Sequence, residues 1–168
     1  MKKLEEVVAQ KLYEIINAVL SKIIVPDIKL EDVTQLDDEM IECLKQRYGI
    51  EGIILDVDET IRKNMSKIPK CNKEWIESLK GKLKIIIVSN GMDRNIESYF
   101  KEQGIDYIGF AFKPLKRNFL KACEKMDIKP EKVLVVGNDL FDDIYGGRRN
   151  NMKTALIKKV VDEEKESR

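Results

Sequence analysis

An α/β fold, a doubly wound parallel sheet carrying an N-terminal helical extension, is what this 168-residue sequence predicts. Two observations carry that expectation. Five short apolar runs, Gly52–Leu55, Lys84–Val88, Tyr107–Phe110, Lys132–Val136 and Thr154–Ile157, alternate with stretches of helical spacing. That alternation is the pattern of parallel strands covered by helices on both faces, and right-handed crossovers leave few topologies for it. The first run also leads straight into Asp56-Val57-Asp58-Glu59, and the carboxyl end of a strand is where open α/β sheets place their ligands.

In chain order, residues 1–50 read as the helical extension, 51–160 as the core and 161–168 as a charged tail. From Leu4 to Val25, apolar residues recur at Leu4, Val7, Val8, Leu12, Ile15, Ile16, Val19, Leu20, Ile23 and Ile24, the spacing of a helix with a broad apolar face that Pro26 ends. Such a face is expected to pack on the domain or on another copy of it. The alternative is peripheral contact with a membrane surface through residues 4–25, weakened by Glu5, Glu6 and Glu14 among the lysines of the polar face. Pro26 to Thr34 reads as an irregular or extended link. Leu36 to Tyr48 reads as a second helix, with Asp37 and Asp38 suited to its first turn and Gly49 to its end. The helices between the strands are expected at Asn72–Leu79, Arg94–Gln103, Leu115–Met126 and Phe141–Asn150.

Composition removes several classes of function. Lys plus Arg number 31 against 30 Asp plus Glu, and a net charge of +1 makes no electrostatic case for a nucleic-acid partner. Histidine is absent, which excludes His-based triads, His metal sites and phosphohistidine chemistry. Acid–base work near neutral pH then falls to carboxylates, lysine, tyrosine or cysteine. Cys43, Cys71 and Cys123 are widely spaced and odd in number; they fit neither a disulfide framework nor a zinc pattern and suit a reducing cytosol. With no apolar run of 18 residues and no signal-peptide pattern, the expected location is cytoplasmic, or peripheral to a membrane if the first helix lies on one. Oligomeric state is left open.

The strand ends carry the chemistry. Two carboxylates such as Asp56 and Asp58 facing one crevice repel unless a cation sits between them or one is protonated, and magnesium, with its preference for oxygen ligands, resolves that conflict. Taken alone the stretch also admits the reading of an acidic turn after a strand, the lesser of the two. The second run delivers Ser89-Asn90-Gly91, a hydroxyl and turn N–H groups that suit a phosphate oxygen, or else a plain helix cap. The third leads to Lys113-Pro114, where proline opens a helix and the lysine points to the crevice. The fourth delivers Gly137-Asn138-Asp139-Leu140-Phe141-Asp142-Asp143, a concentration of oxygen ligands. Each is ordinary by itself; acid pair, hydroxyl, lysine and acid cluster in that order along one sheet are not.

Asp56-x-Asp58-x-Thr60, Ser89 after an apolar strand, Lys113-Pro114 and Gly137-Asn138-x4-Asp143 resemble the four motifs of the haloacid dehalogenase (HAD) superfamily of phosphatases, over about residues 51–158. Leu140-Phe141 and Gly146-Gly147-Arg148 resemble its small capless type III members, a group that includes enzymes acting on phosphatidylglycerophosphate. The resemblance implies an aspartyl-phosphate on Asp56, with Asp58 as general acid and base. It implies magnesium held by Asp56, the Asp58 carbonyl and Asn138 with Asp143 nearby, and phosphoryl oxygens bound by Ser89, Asn90 and Lys113. The motif departs from the usual Gly-Asp at Gly137-Asn138, so one negative charge is missing unless Asp139 or Asp142 supplies it; a catalytically weak or inactive binding module is the alternative function. A receiver-like signalling module also phosphorylates an aspartate, but on a later strand, and here Ser89 stands at the second strand's end.

Spacing adds that no cap domain fits between the first and third motifs. An open crevice cannot enclose a small metabolite by itself, so the expected substrate is a bulky phosphate such as a phospholipid headgroup. The segment Ile61 to Pro69, with Arg62, Lys63 and Lys67, is expected to form a mobile flap at the entrance.

Overall fold

The computed structural model describes residues 2–161; the tail expected to fray at 162–168 lies outside them. Six parallel strands form one sheet in the order β1 (Ile28–Leu30), β6 (Lys153–Ile157), β5 (Val133–Gly137), β2 (Gly52–Leu55), β3 (Lys84–Val88), β4 (Asp106–Ile108). Every residue of β2 and β5 is buried, which is why these runs are apolar without interruption rather than alternating. Leu55 aligns with Ile87 on one side and Val136 on the other. Side chains alternate between two packed layers. Ile53 and Leu55 face the layer containing Ile41, Trp75, Ile76 and Phe100, from α2 (Asp38–Tyr48), α3 (Lys70–Leu79) and α4 (Arg94–Glu102). Ile54 and Val135 face the other layer, with Phe119, Ala122 and Met126 of α5 (Lys116–Met126).

After β2 the chain builds outward through β3 and β4, then crosses back to β5 and β6. The order therefore reverses between β2 and β5, and the crevice outside their carboxyl ends is the topological switch point. Nothing is inserted between β2 and β4 beyond one helix per crossover, so the core carries no cap domain.

The segment read as an irregular or extended link contains β1, which pairs in parallel with β6, Ile28 opposite Ala155. Leu30, Val33, Leu36, Ile41 and Leu44 enter the same apolar layer as β2, and Trp75 Nε1 donates to Leu36 O at 2.9 Å. Residues 28–50 thus share the core. Asp37 caps α2 by accepting from Met40 N, and Gly49 closes it in the left-handed conformation at φ 66°.

Two expectations are corrected in detail. The helix expected over 141–150 is a six-residue π-helical segment, Leu140–Tyr145, continued by a short α6 (Gly146–Arg148). And α1 (Lys2–Ile23) leaves most of its apolar stripe uncovered by its own domain. Val8, Leu12, Ile15, Ile16, Val19 and Ile23 are all exposed. The helix instead touches the domain along a neighbouring line: Tyr13, whose hydroxyl donates to Asp139 Oδ2 at 3.3 Å, half-buried Asn17 and Leu20, and Ile24, buried just past its end. None of the described helices is long and apolar enough to cross a membrane.

Candidate active site

The last residue of β2 is Leu55, so Asp56 is the first side chain past the sheet edge, with its backbone N–H still held by Val136 O at 3.0 Å. Its carboxylate is fixed at both oxygens. Oδ1 accepts from Lys113 Nζ at 2.8 Å and Oδ2 from Thr60 Oγ1 at 2.9 Å. Thr60 is fully buried one turn away, where its hydroxyl can reach back four residues. Lys113 Nζ also donates to Asp143 Oδ1 at 2.6 Å. Three charged groups from three strand ends thus meet at one point, with Lys113 and Asp143 almost wholly buried.

One ammonium serving two carboxylates leaves one surplus negative charge. Burial pushes Lys113 toward its neutral form, but Asp143 and Asp56 outweigh burial and hold its pKa above the ordinary lysine value. Burial, and then the Asp56 carboxylate, push Asp143 up. Asp143 can sit so deep because residue 137 is glycine: a Cβ there would collide with the Asp143 carboxylate. Its backbone position comes from the π-helical turn, in which Asp143 N and Ile144 N both reach Asp139 O, at 3.0 and 3.1 Å.

Asn138 places its terminal amide atom 3.2 Å from Asp56 Oδ2 and 3.3 Å from the Asp58 carbonyl oxygen. With nitrogen in that position the amide donates to both; which atom stands there follows from the partners assigned to it. With oxygen in that position, its spacings to the other two oxygens, 3.2 and 3.3 Å, are a little above the ~2.9 Å between adjacent ligands of a magnesium ion bound at ~2.0–2.1 Å. The residues therefore fit a hard divalent cation. No cluster of three or more His, Cys, Asp or Glu groups able to hold a metal occurs among the described residues, so a cation would rest on this mixed set of carboxylate, amide and main-chain carbonyl.

The surrounding crevice has a volume of about 180 Å³, and Ser89, Asn90, Gly91 and Asp142 line it with the residues above. Ser89 Oγ accepts from Gly91 N at 3.2 Å and also meets the Tyr107 phenol. Asn90, expected to hold phosphate, lines the crevice with its side-chain amide bonded to two neighbouring loops. It accepts from Lys113 N at 2.7 Å and donates to Asp142 Oδ2 at 3.0 Å, tying the lysine loop to the acidic loop. Of the two acids that could make up the charge missing at Asn138, Asp139 is spent on capping: its Oδ1 accepts from Phe141 N and Asp142 N. Asp142 faces the crevice.

Burial, reinforced by Asp139, pushes the Asp142 carboxyl up to about 6. An unfolded aspartate titrates near ~3.9, so the folded state holds the extra proton between those values. That contribution to stability is complete below about pH 4 and is lost as pH rises through 6. Asp142→Asn, measured in chelator by urea denaturation, is expected to be more stable than the native chain by ~1 kcal/mol at pH 7.5 after allowance for solvent screening, and equal to it near pH 4.

Arg62 was read as part of a mobile flap; it is buried. Its Nε donates to Asp58 Oδ1 at 2.8 Å, and Nη1 donates to Asp93 Oδ2 at 2.9 Å and Ser66 O at 3.2 Å. The Asp93 and Asp58 partners raise the guanidinium's pKa against the burial that would lower it, and Asp93 is held below the usual carboxylate range chiefly by the Arg62 bond. Ile61 and Ile68 are buried too, so only 63–67 of that segment stand in solvent. The i,i+4 spacing of Asp58 and Arg62 was a legible signal for their pairing; Asp93, 31 residues on, was not.

A parallel sheet whose strand ends present Asp56, Ser89, Lys113 and Asp143 in this order defines a haloacid dehalogenase-like hydrolase, and the family of that description matches residues 68–151. The chain also matches the family described as mitochondrial PGP phosphatase over residues 11–107, and it belongs to that family of HAD-type phosphatases. It is 34% identical over 143 residues to "Probable phosphatase YqeG" of Bacillus subtilis, covering 82% of this chain and 79% of that one. A shorter match, 33% over 63 residues, links it to a glyceraldehyde 3-phosphate phosphatase of Pyrococcus furiosus, over 38% of this chain and 26% of the other. Among solved structures, that of a "putative HAD superfamily (subfamily III A) hydrolase" of Legionella pneumophila superposes with a TM-score of 0.55 at 16% identity, covering 76% of this chain and 75% of that one. At that identity the likeness concerns the fold.

Proposed function

We propose that this phosphatase is a magnesium-dependent phosphomonoester hydrolase that works through an aspartyl-phosphate on Asp56 and acts on a phospholipid headgroup. The observation that carries the chemistry is the Asp56 carboxylate itself: it stands at the crevice floor, pinned by Lys113 and Thr60, with an acid two residues away. An Asp56 oxygen bonds to phosphorus while the bond from phosphorus to the leaving oxygen breaks, and Asp58 gives that oxygen its proton. Water then attacks the same phosphorus, Asp58 takes its proton, and Asp56 is released with inorganic phosphate. Arg62 holds the Asp58 side chain beside the crevice in the resting structure; Asp58 enters the first step protonated and recovers that proton from the attacking water in the second. Lys113 and Ser89 bind phosphoryl oxygens, and Lys113 offsets the charge of the carboxylates around it. Asp56, the Asp58 carbonyl and Asn138 would hold a magnesium ion, which would supply charge neutralisation to the transferring group, the main demand of phosphoryl transfer.

The lipid assignment rests on the PGP phosphatase family match, on the crevice without a cap, and on the open apolar face of α1. In this reading residues 4–25 lie on a membrane surface, the protein acts from the cytoplasm, and no nucleic acid is involved. The test of the chemistry is metal removal. Turnover of p-nitrophenyl phosphate is expected to vanish in excess chelator and to return with added magnesium; turnover indifferent to chelator overturns the proposal.

A further inference from the structure

Beside the crevice lies a second, larger depression, an open groove of about 790 Å³ between α1 and the π-helical segment. Leu20, Ile23 and Ile24 form one side and Pro114 and Leu115 one end. The other side is a ladder at helical spacing. The Phe141 and Tyr145 rings stack 5.5 Å apart at 9°, and the Arg149 guanidinium lies 5.4 Å from the Tyr145 ring centroid. Arg148 borders the groove as well, 3.5 Å from Asp27. Its lining contains two cations and no acid.

The groove and the crevice share a wall. Lys113 points into the crevice and the next two residues line the groove; Asp142 lines the crevice and Phe141, just before it, lines the groove. A ligand with phosphate at Asp56 therefore needs to cross only that wall to reach an apolar surface. We infer that the groove between α1 and Leu140–Tyr145 holds an apolar chain of an anionic phospholipid whose phosphate monoester occupies the Asp56 crevice. This rests on the phospholipid reading of the substrate and names the residues that would recognise it. The occupant is specified by the lining: an aliphatic floor for the chain, and Arg148 and Arg149 where anionic headgroups meet the protein. An acidic or purely polar ligand would leave Ile23, Leu115 and Phe141 in water, where they stand 73%, 59% and 45% exposed.

Binding of a homologous series separates this inference from the chemistry. Butyl, hexyl, octyl and decyl phosphate, titrated calorimetrically below micelle formation into the Asp56→Asn protein with magnesium, should bind about twofold more tightly per added methylene, roughly half the full burial effect, as suits an open groove. The pair Ile23→Glu with Leu115→Glu should flatten that series, while Leu120→Ser, an exposed apolar site on α5 away from the groove, should keep it. An affinity independent of chain length, or a slope the paired substitution leaves intact, overturns the inference. So does a dimer seen by sedimentation that the same paired substitution dissociates, because a second copy would then be the occupant. Since the slope is read without turnover, a failure of the phosphatase chemistry appears separately, in the p-nitrophenyl phosphate assay.

Discussion

Asp56→Asn is expected to reduce turnover of p-nitrophenyl phosphate by about four orders of magnitude, the scale seen when a nucleophile is removed and binding groups are kept. The substitution isolates chemistry from folding. An asparagine oxygen can still accept from Lys113 Nζ or Thr60 Oγ1, the two bonds that hold Asp56 now. Removing one negative charge from a cluster of two carboxylates and one ammonium leaves Lys113 and Asp143 as a matched pair, so unfolding midpoints should stay level or rise slightly. Steady-state phosphate release and urea denaturation on the same preparation check both halves. Activity within tenfold of the native chain would remove Asp56 from the mechanism, and with it the aspartyl-phosphate.

Lys113→Met should do the opposite, damaging the fold as well as the reaction. Its ammonium is the shared partner of Asp56 and Asp143, and both Lys113 and Asp143 have side chains only 2–3% exposed. Deleting one partner from a buried ion cluster costs roughly 3–5 kcal/mol, because the remaining charge stays out of water without compensation. The pH dependence follows from the same carboxylates. Asp143 already binds its proton more readily than an ordinary aspartate, and without Lys113 it will do so more readily still. An acid whose folded pKa is raised contributes stability at low pH that is lost as pH climbs through that pKa. The deficit of Lys113→Met, measured in chelator, should therefore be largest at pH 7.5 and shrink toward pH 5. Adding Asp143→Asn should recover part of it. A deficit that grows on acidification would mean the cluster is held by something other than this charge balance.

Much of the sheet was legible because β2 and β5 are buried on both faces and read as unbroken apolar runs. The site residues were legible for a related reason: strand ends converge on one edge, so Asp56, Ser89, Lys113 and Asn138 could be collected without knowing the distances between them. Other features carry weaker signals. Three residues at the sheet margin, Ile28-Lys29-Leu30, are too few to show a period. The periodicity of α1 told which side is apolar but not what faces it, and the structure leaves that side in solvent. Arg62 looked like a solvated loop cation because its second partner, Asp93, comes from another crossover. For Asn90 the sequence shows an amide at a strand end but not the Lys113 backbone and Asp142 carboxylate that its side chain engages.

The π-helical turn after β5 works as a molecular ruler. An α-helix advances about 100° per residue. Shortening the stretch between Asn138 and Asp143 by one position would let the turn relax to regular α geometry, and would rotate the Asp143 carboxylate away from Lys113 by roughly that angle. In an exposed loop a change of length generally costs little. At this step of the chain, the loss of a single residue would dismantle the charge cluster while leaving the sheet beneath it intact.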